Sequence, residues 1–360
     1  MRILCLIDQY GSGGAERQMS YLAAGLKAQG QDVQLVVFNP DDSFYDDWTK
    51  KQGVELEYCP AGINRWKRIW EIVKLVRTYR PDVVIVYKDS TTIAACLARM
   101  LCNFKLIVSE RNTTQALTRR EKMKFWLYRW ADAIVPNSNS QGEFIKKNFP
   151  ELGEKAHVIR NMVDTKTFIP GEKAGESTIL KVVTTARINP QKNVLNYLQA
   201  IKILKDRGCT AQFFWYGNQT ASPEYFAKVK MKVEELGISD YITFYKPERN
   251  VANIYQNADI FCLPSIYEGF PNTLCEAMAC GLPVVCSNVC DNPDIVNSSN
   301  CGVMVEPYSP ENIANALELV TKASSDERIE MGKQARIRIL RLCSPEAFIR
   351  HYRELIKSII

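Results

Sequence analysis

Histidine is nearly absent: His157 and His351 are the only two in 360 residues. That all but excludes a serine–histidine–acid triad. No apolar run approaches the ~20 residues that span a bilayer. The opening MRILCLIDQYGSGG is too short in apolar residues for a signal peptide and reads as a first buried strand. The twelve cysteines include no C-x-x-C pair and no neighbouring histidines, and several lie inside apolar runs (Cys5, Cys262, Cys286). This is the pattern of reduced, buried thiols in a cytosolic protein, with no zinc site. No D-x-D occurs, so nothing suggests a carboxylate-bridged metal holding a nucleotide diphosphate. Acidic residues are scarce in one region. Residues 60–130 hold fifteen Lys/Arg against five Asp/Glu, a balance of +10 in a chain of net charge +6. A basic face there points to an anionic partner.

What is present is a repeated strand, loop and helix pattern. RILCLI (2–7) leads through GSGG to a helix with Met19, Leu22, Ala23 and Leu26 on one face, closed near Gly30, before the strand VQLVVF (33–38). The plan recurs when LKVVTTA (180–186) leads through RINPQKN to a helix bearing Leu195, Leu198, Ile201 and Leu204. That helix closes at Gly208, before AQFFWYG (211–217). Two α/β domains, each with a parallel sheet, follow from the repeated unit. The boundaries expected are 1–163 and 178–343, with a polar Pro- and Gly-containing linker at 164–177, DTKTFIPGEKAGES. Ligands of such sheets bind at the carboxyl ends of the strands, so a cleft between two such domains would hold one shared ligand.

The stretch SIYEGFPNTLCEAM (265–278) places two glutamates eight apart around a turn-like EGFP. The preceding ADIFCLP reads as a short buried strand, and NTLCEAMACG as a helix ending at Gly281. Glu268 then lies on the turn and Glu276 about one helical turn in, both within reach of one small ligand. A helix N-terminus attracts anions, and carboxylates accept hydrogen bonds from hydroxyls. Together they suggest a ligand with both phosphate and sugar. In ARINPQKN (186–193), Arg187 and Lys192 flank a turn directly after a buried strand, where two cations can clamp a diphosphate; the bland alternative is an exposed basic turn. GSGGAER (11–17) lacks the third glycine of a dinucleotide fingerprint and the G-K-[ST] of a P-loop. It serves equally as a tight turn or as a close approach to phosphate.

Assembled, GSGGAER, NMVD (161–164), ARINPQKN, WYGN (215–218) and SIYEGFPNTLCEAMACGLPVV resemble the retaining, nucleotide-sugar-dependent glycosyltransferases of GT-B fold, over nearly the whole chain. The resemblance implies two Rossmann-like domains facing across a cleft, with the C-terminal helix (344–360) completing the first. It implies that Gly13 and Gly14 approach the donor diphosphate, and that Arg187 and Lys192 hold it. It further implies that Glu268 and the amides around Phe270, Asn272 and Thr273 contact the transferred sugar and that Glu276 binds the ribose. Gly217 joins the donor site, and a base pocket lies near Tyr245–Pro247. Glu110 stands where many relatives place a histidine, making Glu110, Arg111 and Asn112 acceptor-side candidates. Met162 replaces a common glycine in NMVD, and NVCDNPDIV (288–296) replaces a glycine-rich segment. These departures bear on the acceptor side more than on the donor side.

The activity implied is transfer of a hexosyl or N-acetylhexosaminyl group, from a UDP-sugar in preference to a GDP-sugar, to a glycan acceptor on a lipid carrier in surface polysaccharide assembly. No metal and no cofactor are expected. An epimerase on the same fold, or a non-catalytic binding protein with a degenerate site, are the alternatives. The joint presence of Glu268, Glu276, Arg187 and Lys192 argues against both. The basic stretch LTRREKMKFWLYRWADA (117–133), like WKRIWEIVKLVRTYR (66–80), mixes cations with aromatics. It is either an ordinary amphipathic helix or, through 117–130, an attachment to an anionic membrane at its cytoplasmic face. No nucleic-acid recognition motif accompanies the charge.

Overall fold

The structure, a computed structural model, describes all residues except 12, 41–42, 60–63, 173–178, 220–221 and 297–299, and the side chain of Arg65. The chain divides into two units, Met1–Met162 with Pro345–Ile360, and Val163–Ser344. In the first, strands β1 (Arg2–Ile7), β2 (Asp32–Val37), β3 (Glu55–Tyr58), β4 (Val83–Tyr87), β5 (Lys105–Glu110) and β6 (Ala133–Pro136) form one sheet. They alternate with helices α1 (Gly14–Ala28), α2 (Asp46–Lys51), α3 (Arg65–Tyr79), α4 (Asp89–Leu101), α5 (Arg119–Leu127) and α6 (Asn139–Asn148). All pairs are parallel, in the order β3-β2-β1-β4-β5-β6.

The second unit repeats the plan with β7 (Lys181–Thr185), β8 (Gln212–Tyr216), β9 (Ile242–Tyr245), β10 (Ile260–Leu263), β11 (Val284–Ser287) and β12 (Gly302–Val305). Its helices are α7 (Val194–Asp206), α8 (Pro223–Glu235), α9 (Val251–Gln256), α10 (Asn272–Ala279), α11 (Asn292–Val296), α12 (Pro310–Lys322) and α13 (Ser325–Leu342). The sheet is again parallel, ordered β12-β11-β10-β7-β8-β9. The last helix, α14 (Pro345–Ile359), belongs to the first unit.

These strands read as unbroken apolar runs because both sheet faces are covered. In β1, Leu4 and Leu6 meet Ile69, Ile72 and Val73 of α3, Ala95 of α4 and Phe125 of α5. Ile3, Cys5 and Ile7 turn the other way, toward Met19, Leu22 and Leu26 of α1 and Phe348, Tyr352 and Ile356 of α14. Gly25 permits this docking, since a methyl group there would run into Ile349. In the second unit Val183, Phe261 and Leu263 pack toward α10 and α13, while Val182, Ile260 and Cys262 pack toward α7 and α12.

Each sheet runs outward in one direction and then restarts beside its first strand. The reversal falls between β1 and β4 in one unit and between β7 and β10 in the other. Loops that leave such neighbouring strands in opposite directions leave a crevice at the carboxyl ends. The loop after β7 carries Arg187 and Lys192, and the loop after β10 carries Glu268.

The structure places the expected linker and the basic stretch. Residues 164–172 of the expected linker are docked on the second unit. Phe168 is buried in its core, Arg336 donates to the Phe168 carbonyl (3.0 Å), and Gln256 donates to that of Ile169 (3.2 Å). Burying a phenylalanine outweighs the polar character of its neighbours; residues 173–177 lie outside the described residues. The basic stretch 117–130 is amphipathic, as one of its two readings expected. Lys124, Phe125 and Tyr128 are buried, because α5 turns that side onto the sheet. Arg119, Arg120, Lys122, Met123 and Trp126 remain exposed.

Candidate functional site

β7 ends at Thr185, and the chain continues through Arg187 to a single 3₁₀ turn, Pro190–Lys192. The Asn189 side chain caps that turn by accepting from the Lys192 amide (3.2 Å). Gln191 joins this loop to the one after β10. Its carbonyl accepts from the Ile266 amide (2.8 Å), and its side chain donates to the Tyr267 carbonyl (2.9 Å). Asn193 completes the tie from a left-handed conformation (φ 61°), donating to the carbonyls of Pro264 (3.0 Å) and Pro307 (2.5 Å). Three segments far apart in sequence are thereby held together at the crevice.

Across it, the Lys192 ammonium lies 2.5 Å from Glu268 Oε1, with side chains 12% and 7% exposed. In so sheltered a place this contact is a charge-assisted hydrogen bond of far more consequence than a surface pair. Arg187 is exposed at the same loop. After Glu268, the chain turns through the buried Phe270 and Pro271 into α10, whose first residues are Asn272 and Thr273. The first turn of a helix has backbone N–H groups without intrahelical acceptors, so its start favours anions. Glu276 is buried (3% exposed) in the middle of α10, and Gly281 takes φ 75° to end the helix. The structure thus assembles Lys192, Glu268 and the start of α10 around one crevice, with Arg187 exposed on the same loop as Lys192.

Beside them, Tyr216 and Tyr245 end β8 and β9 and stack with ring centroids 4.9 Å apart at 17°. Tyr245 is 42% exposed, an aromatic face suited to a planar base. Gly217 follows directly. A methyl group there would run into the Ala186 carbonyl oxygen, which also accepts from Trp215 Nε1 (2.9 Å). Glycine at 217 is therefore required by close backbone packing of the two loops.

Asn193 offers a direct test of this construction. Asn193→Ala removes donors to two carbonyls and places alanine in a left-handed conformation. It should destabilise the protein by about 3 kcal/mol in denaturant unfolding. A loss under about 1 kcal/mol would show that the loops are held some other way.

In the first unit, Gly13 caps α1, and Gly14 begins it. Glu16 folds back over Gly13 and pairs with Lys88, which follows β4 with φ 71°. The two glycines therefore stand beside a carboxylate–ammonium pair. Glu110 ends β5 and is 1% exposed, with Lys124 Nζ and Tyr128 Oη both 2.9 Å from its Oε2. Burial pushes its carboxyl up, against the pull of Lys124. Arg111 lies over the Tyr87 ring (3.9 Å to the centroid) and donates to Asn161 Oδ1 (2.6 Å), while Asn112 is exposed. Glu110 and Arg111 are thus built into the unit's packing, unlike Asn112.

Residues not singled out from sequence also reach the crevice. Cys290 takes φ 49° and sits against the Glu268 backbone; burial is the main influence on its thiol, pushing it up. Ser265 Oγ, Ser287 Oγ and Asn292 Oδ1 are buried without a hydrogen-bond partner at the ends of β10 and β11. The available signal for Asn193 was asparagine immediately before a helix, the residue after glycine that best tolerates a left-handed backbone. Nothing local marks Gln191.

Comparison with known proteins accords with this arrangement. The family described as Glycosyl transferases group 1 matches residues 165–338, and Glycosyltransferase Family 4 matches residues 12–167. A Campylobacter jejuni enzyme is 26% identical over 334 residues, covering 89% of each chain. It is named GalNAc-alpha-(1->4)-GalNAc-alpha-(1->3)-diNAcBac-PP-undecaprenol alpha-1,4-N-acetyl-D-galactosaminyltransferase. The crystal structure of a glycosyltransferase from Rickettsia africae superposes with a TM-score of 0.88 at 18% identity, over 99% of this chain and 98% of that one. Anabaena HepE in complex with UDP gives 0.86 at 16% identity, over 99% and 100%. Two parallel sheets of this topology, together matched almost end to end by the two families, leave one assignment: the chain belongs to the glycosyltransferases of GT-B fold.

Proposed function

We propose that this glycosyltransferase moves a hexosyl or N-acetylhexosaminyl group from a UDP-sugar to a lipid-linked glycan, with retention and without a metal. The observation that carries the reading is the sheltered Lys192–Glu268 pair at the β7/β10 crevice, with α10 starting shortly after Glu268 and Arg187 exposed on the Lys192 loop. A diphosphate entering there meets two cations and first-turn amides, which stabilise the charge that develops as the sugar departs. Glu268 takes a hydroxyl of the transferred sugar, Glu276 the ribose, and the Tyr216–Tyr245 platform the base. Gly13, Gly14 and Gly217 leave room for the donor, and Glu110, Arg111 and Asn112 belong to the acceptor side. In a front-face route the sugar–phosphate bond breaks as the acceptor oxygen bonds to the same face, and the leaving phosphate takes the acceptor proton. The undecaprenyl-linked glycan in the name of the Campylobacter relative, and the UDP complex of the Anabaena protein, support this choice of substrates. The acceptor places the enzyme at the cytoplasmic membrane face, with the exposed cations of α5, Arg119, Arg120 and Lys122, near anionic headgroups. No helix among the described residues is long and apolar enough to cross a bilayer.

The test is a panel of UDP- and GDP-sugars with a lipid-linked acceptor, the product's anomeric configuration being read by NMR. Inversion at the anomeric carbon would overturn the mechanism, and silence across the panel the activity. Glu276→Gln should weaken UDP binding in calorimetry by about tenfold, the loss expected of a charged hydrogen bond. Glu268→Gln should slow transfer but leave UDP affinity within about twofold. Equal weakening by both would refute the division of roles.

A further inference from the structure

The outward side of α3 is unusual for a surface helix. Trp66 is 76% exposed and Trp70 is 63% exposed, one turn apart. Large aromatics are normally buried for most of their area, so two in one stripe indicate a face that meets something other than water. At about 100° per residue, Trp66, Arg77, Trp70, Lys74 and Lys67 fall within an arc of about 100°. All five are exposed, and the nearest acid, Glu71, is half-buried at the arc's margin. The opposite side, with Ile69, Ile72, Val73 and Val76, is fixed in the core.

The position of this stripe is also determined. Asn64 caps the helix by accepting from the amides of Trp66 and Lys67 (both 3.1 Å). Buried Arg68 pairs at 2.8 Å with Asp8, the residue following β1. The tryptophan end of α3 is thus pinned at the carboxyl rim of the first unit's sheet. Helix α3 packs on α4, and α4 on α5, whose first turns carry the exposed Arg119, Arg120 and Lys122 and also begin at that rim.

We propose that α3 is a membrane-insertion element. Trp66 and Trp70 enter the interfacial layer of an anionic bilayer, while Lys67, Lys74 and Arg77 meet headgroup phosphates. This deepens the membrane reading given above and rests on it, but assigns the anchoring to α3 where that reading used the charges of α5. The composition selects lipid over a protein partner. Lysine is depleted from protein–protein interface cores, whereas tryptophan beside lysine and arginine is the pairing found at the bilayer interface. Docked this way, with the tryptophan end of α3 at the sheet's carboxyl rim, that rim lies beside the headgroup layer, where a lipid-linked substrate carries its reacting end.

The full chain is tested with vesicles of mixed zwitterionic and anionic phospholipid, with and without brominated acyl chains, in three forms: wild type, Trp66→Ser/Trp70→Ser, and Arg119→Ser/Arg120→Ser/Lys122→Ser. Wild type should co-sediment, and brominated chains should quench its tryptophan emission. The tryptophan variant should partition about 100-fold more weakly and lose most of the quenching, because the aromatic area of α3 is gone and only the exposed Trp126 of α5 remains near the headgroups. It should retain its unfolding midpoint and its transfer to a water-soluble acceptor, both residues being exposed and outside the donor crevice. The α5 variant should bind more weakly yet still be quenched. Equal binding and quenching of wild type and the tryptophan variant would overturn the α3 assignment while leaving the membrane reading intact. Absence of wild-type binding to anionic vesicles at low salt would overturn both. A tryptophan variant that binds vesicles normally but changes oligomeric state would reassign the stripe to a protein contact.

Discussion

Lys192→Ala is expected to lower kcat by about 10²- to 10³-fold, the ~2.7–4 kcal/mol typical of removing one preorganised donor from a developing anion. The expectation rests on position. The ammonium is held 2.5 Å from Glu268 in a sheltered crevice, on a turn fixed by Asn189 and by the Gln191 bonds. A group already oriented needs no reorganisation when charge appears on the leaving diphosphate. Arg187→Ala should fall in the same range if the guanidinium closes on that diphosphate from its exposed position. Single-turnover measurements with saturating donor separate the chemical step from binding, and the unfolding midpoint guards against a merely structural effect. A decrease under about tenfold in kcat would remove Lys192 from the proposed charge stabilisation. Activity lost in EDTA and restored by manganese would show instead that a metal performs it.

Lys124→Met should be the most damaging single change in the first unit, at about 3–5 kcal/mol of stability. The Lys124 ammonium is 4% exposed and lies 2.9 Å from Glu110, 2.8 Å from Glu121 and 3.6 Å from Asp89. Methionine fills a similar volume but leaves the Glu110 carboxylate in the interior without its cation. The pH dependence follows from sign. Burial already raises the Glu110 carboxyl, and Lys124 lowers it; without Lys124 it rises further. A carboxyl whose folded-state value lies above its unfolded value of about 4.3 weakens the fold as pH rises from that value through the folded one. The deficit of the variant should therefore be largest at neutral pH and shrink as pH falls toward about 5. Urea midpoints at the two pH values measure this. Lys124→Met/Glu110→Gln should recover much of the loss, since the stranded charge is gone. A deficit independent of pH would show that lost packing, not the buried carboxylate, is responsible.

The strand–helix alternation, the glycines that end helices at Gly30, Gly208 and Gly281, and the loops carrying Arg187, Lys192 and Glu268 were all legible in the residues alone. Apolar periodicity and glycine's left-handed freedom are local properties, readable within one turn or one strand. The same locality explains why 117–130 allowed two readings. A stretch mixing cations with aromatics has the same composition whether a given lysine faces water or the sheet, and only the packing of α5 buried Lys124 against Glu110. The expected linker likewise gave no local sign that Phe168 had a core to enter.

By itself, then, the sequence determined the two parallel sheets and which loops stand at their carboxyl ends, because buried apolar runs joined by helical crossovers pair in parallel. The tertiary structure alone decided which side chains meet. It set Lys192 against Glu268, 76 positions away, and tied Asn193 to the carbonyls of Pro264 and Pro307. It also seated α14 on α1 and left Trp66 and Trp70 on the outer face of α3. Such partnerships depend on distances between segments remote in the chain, and those distances exist only once the core has closed.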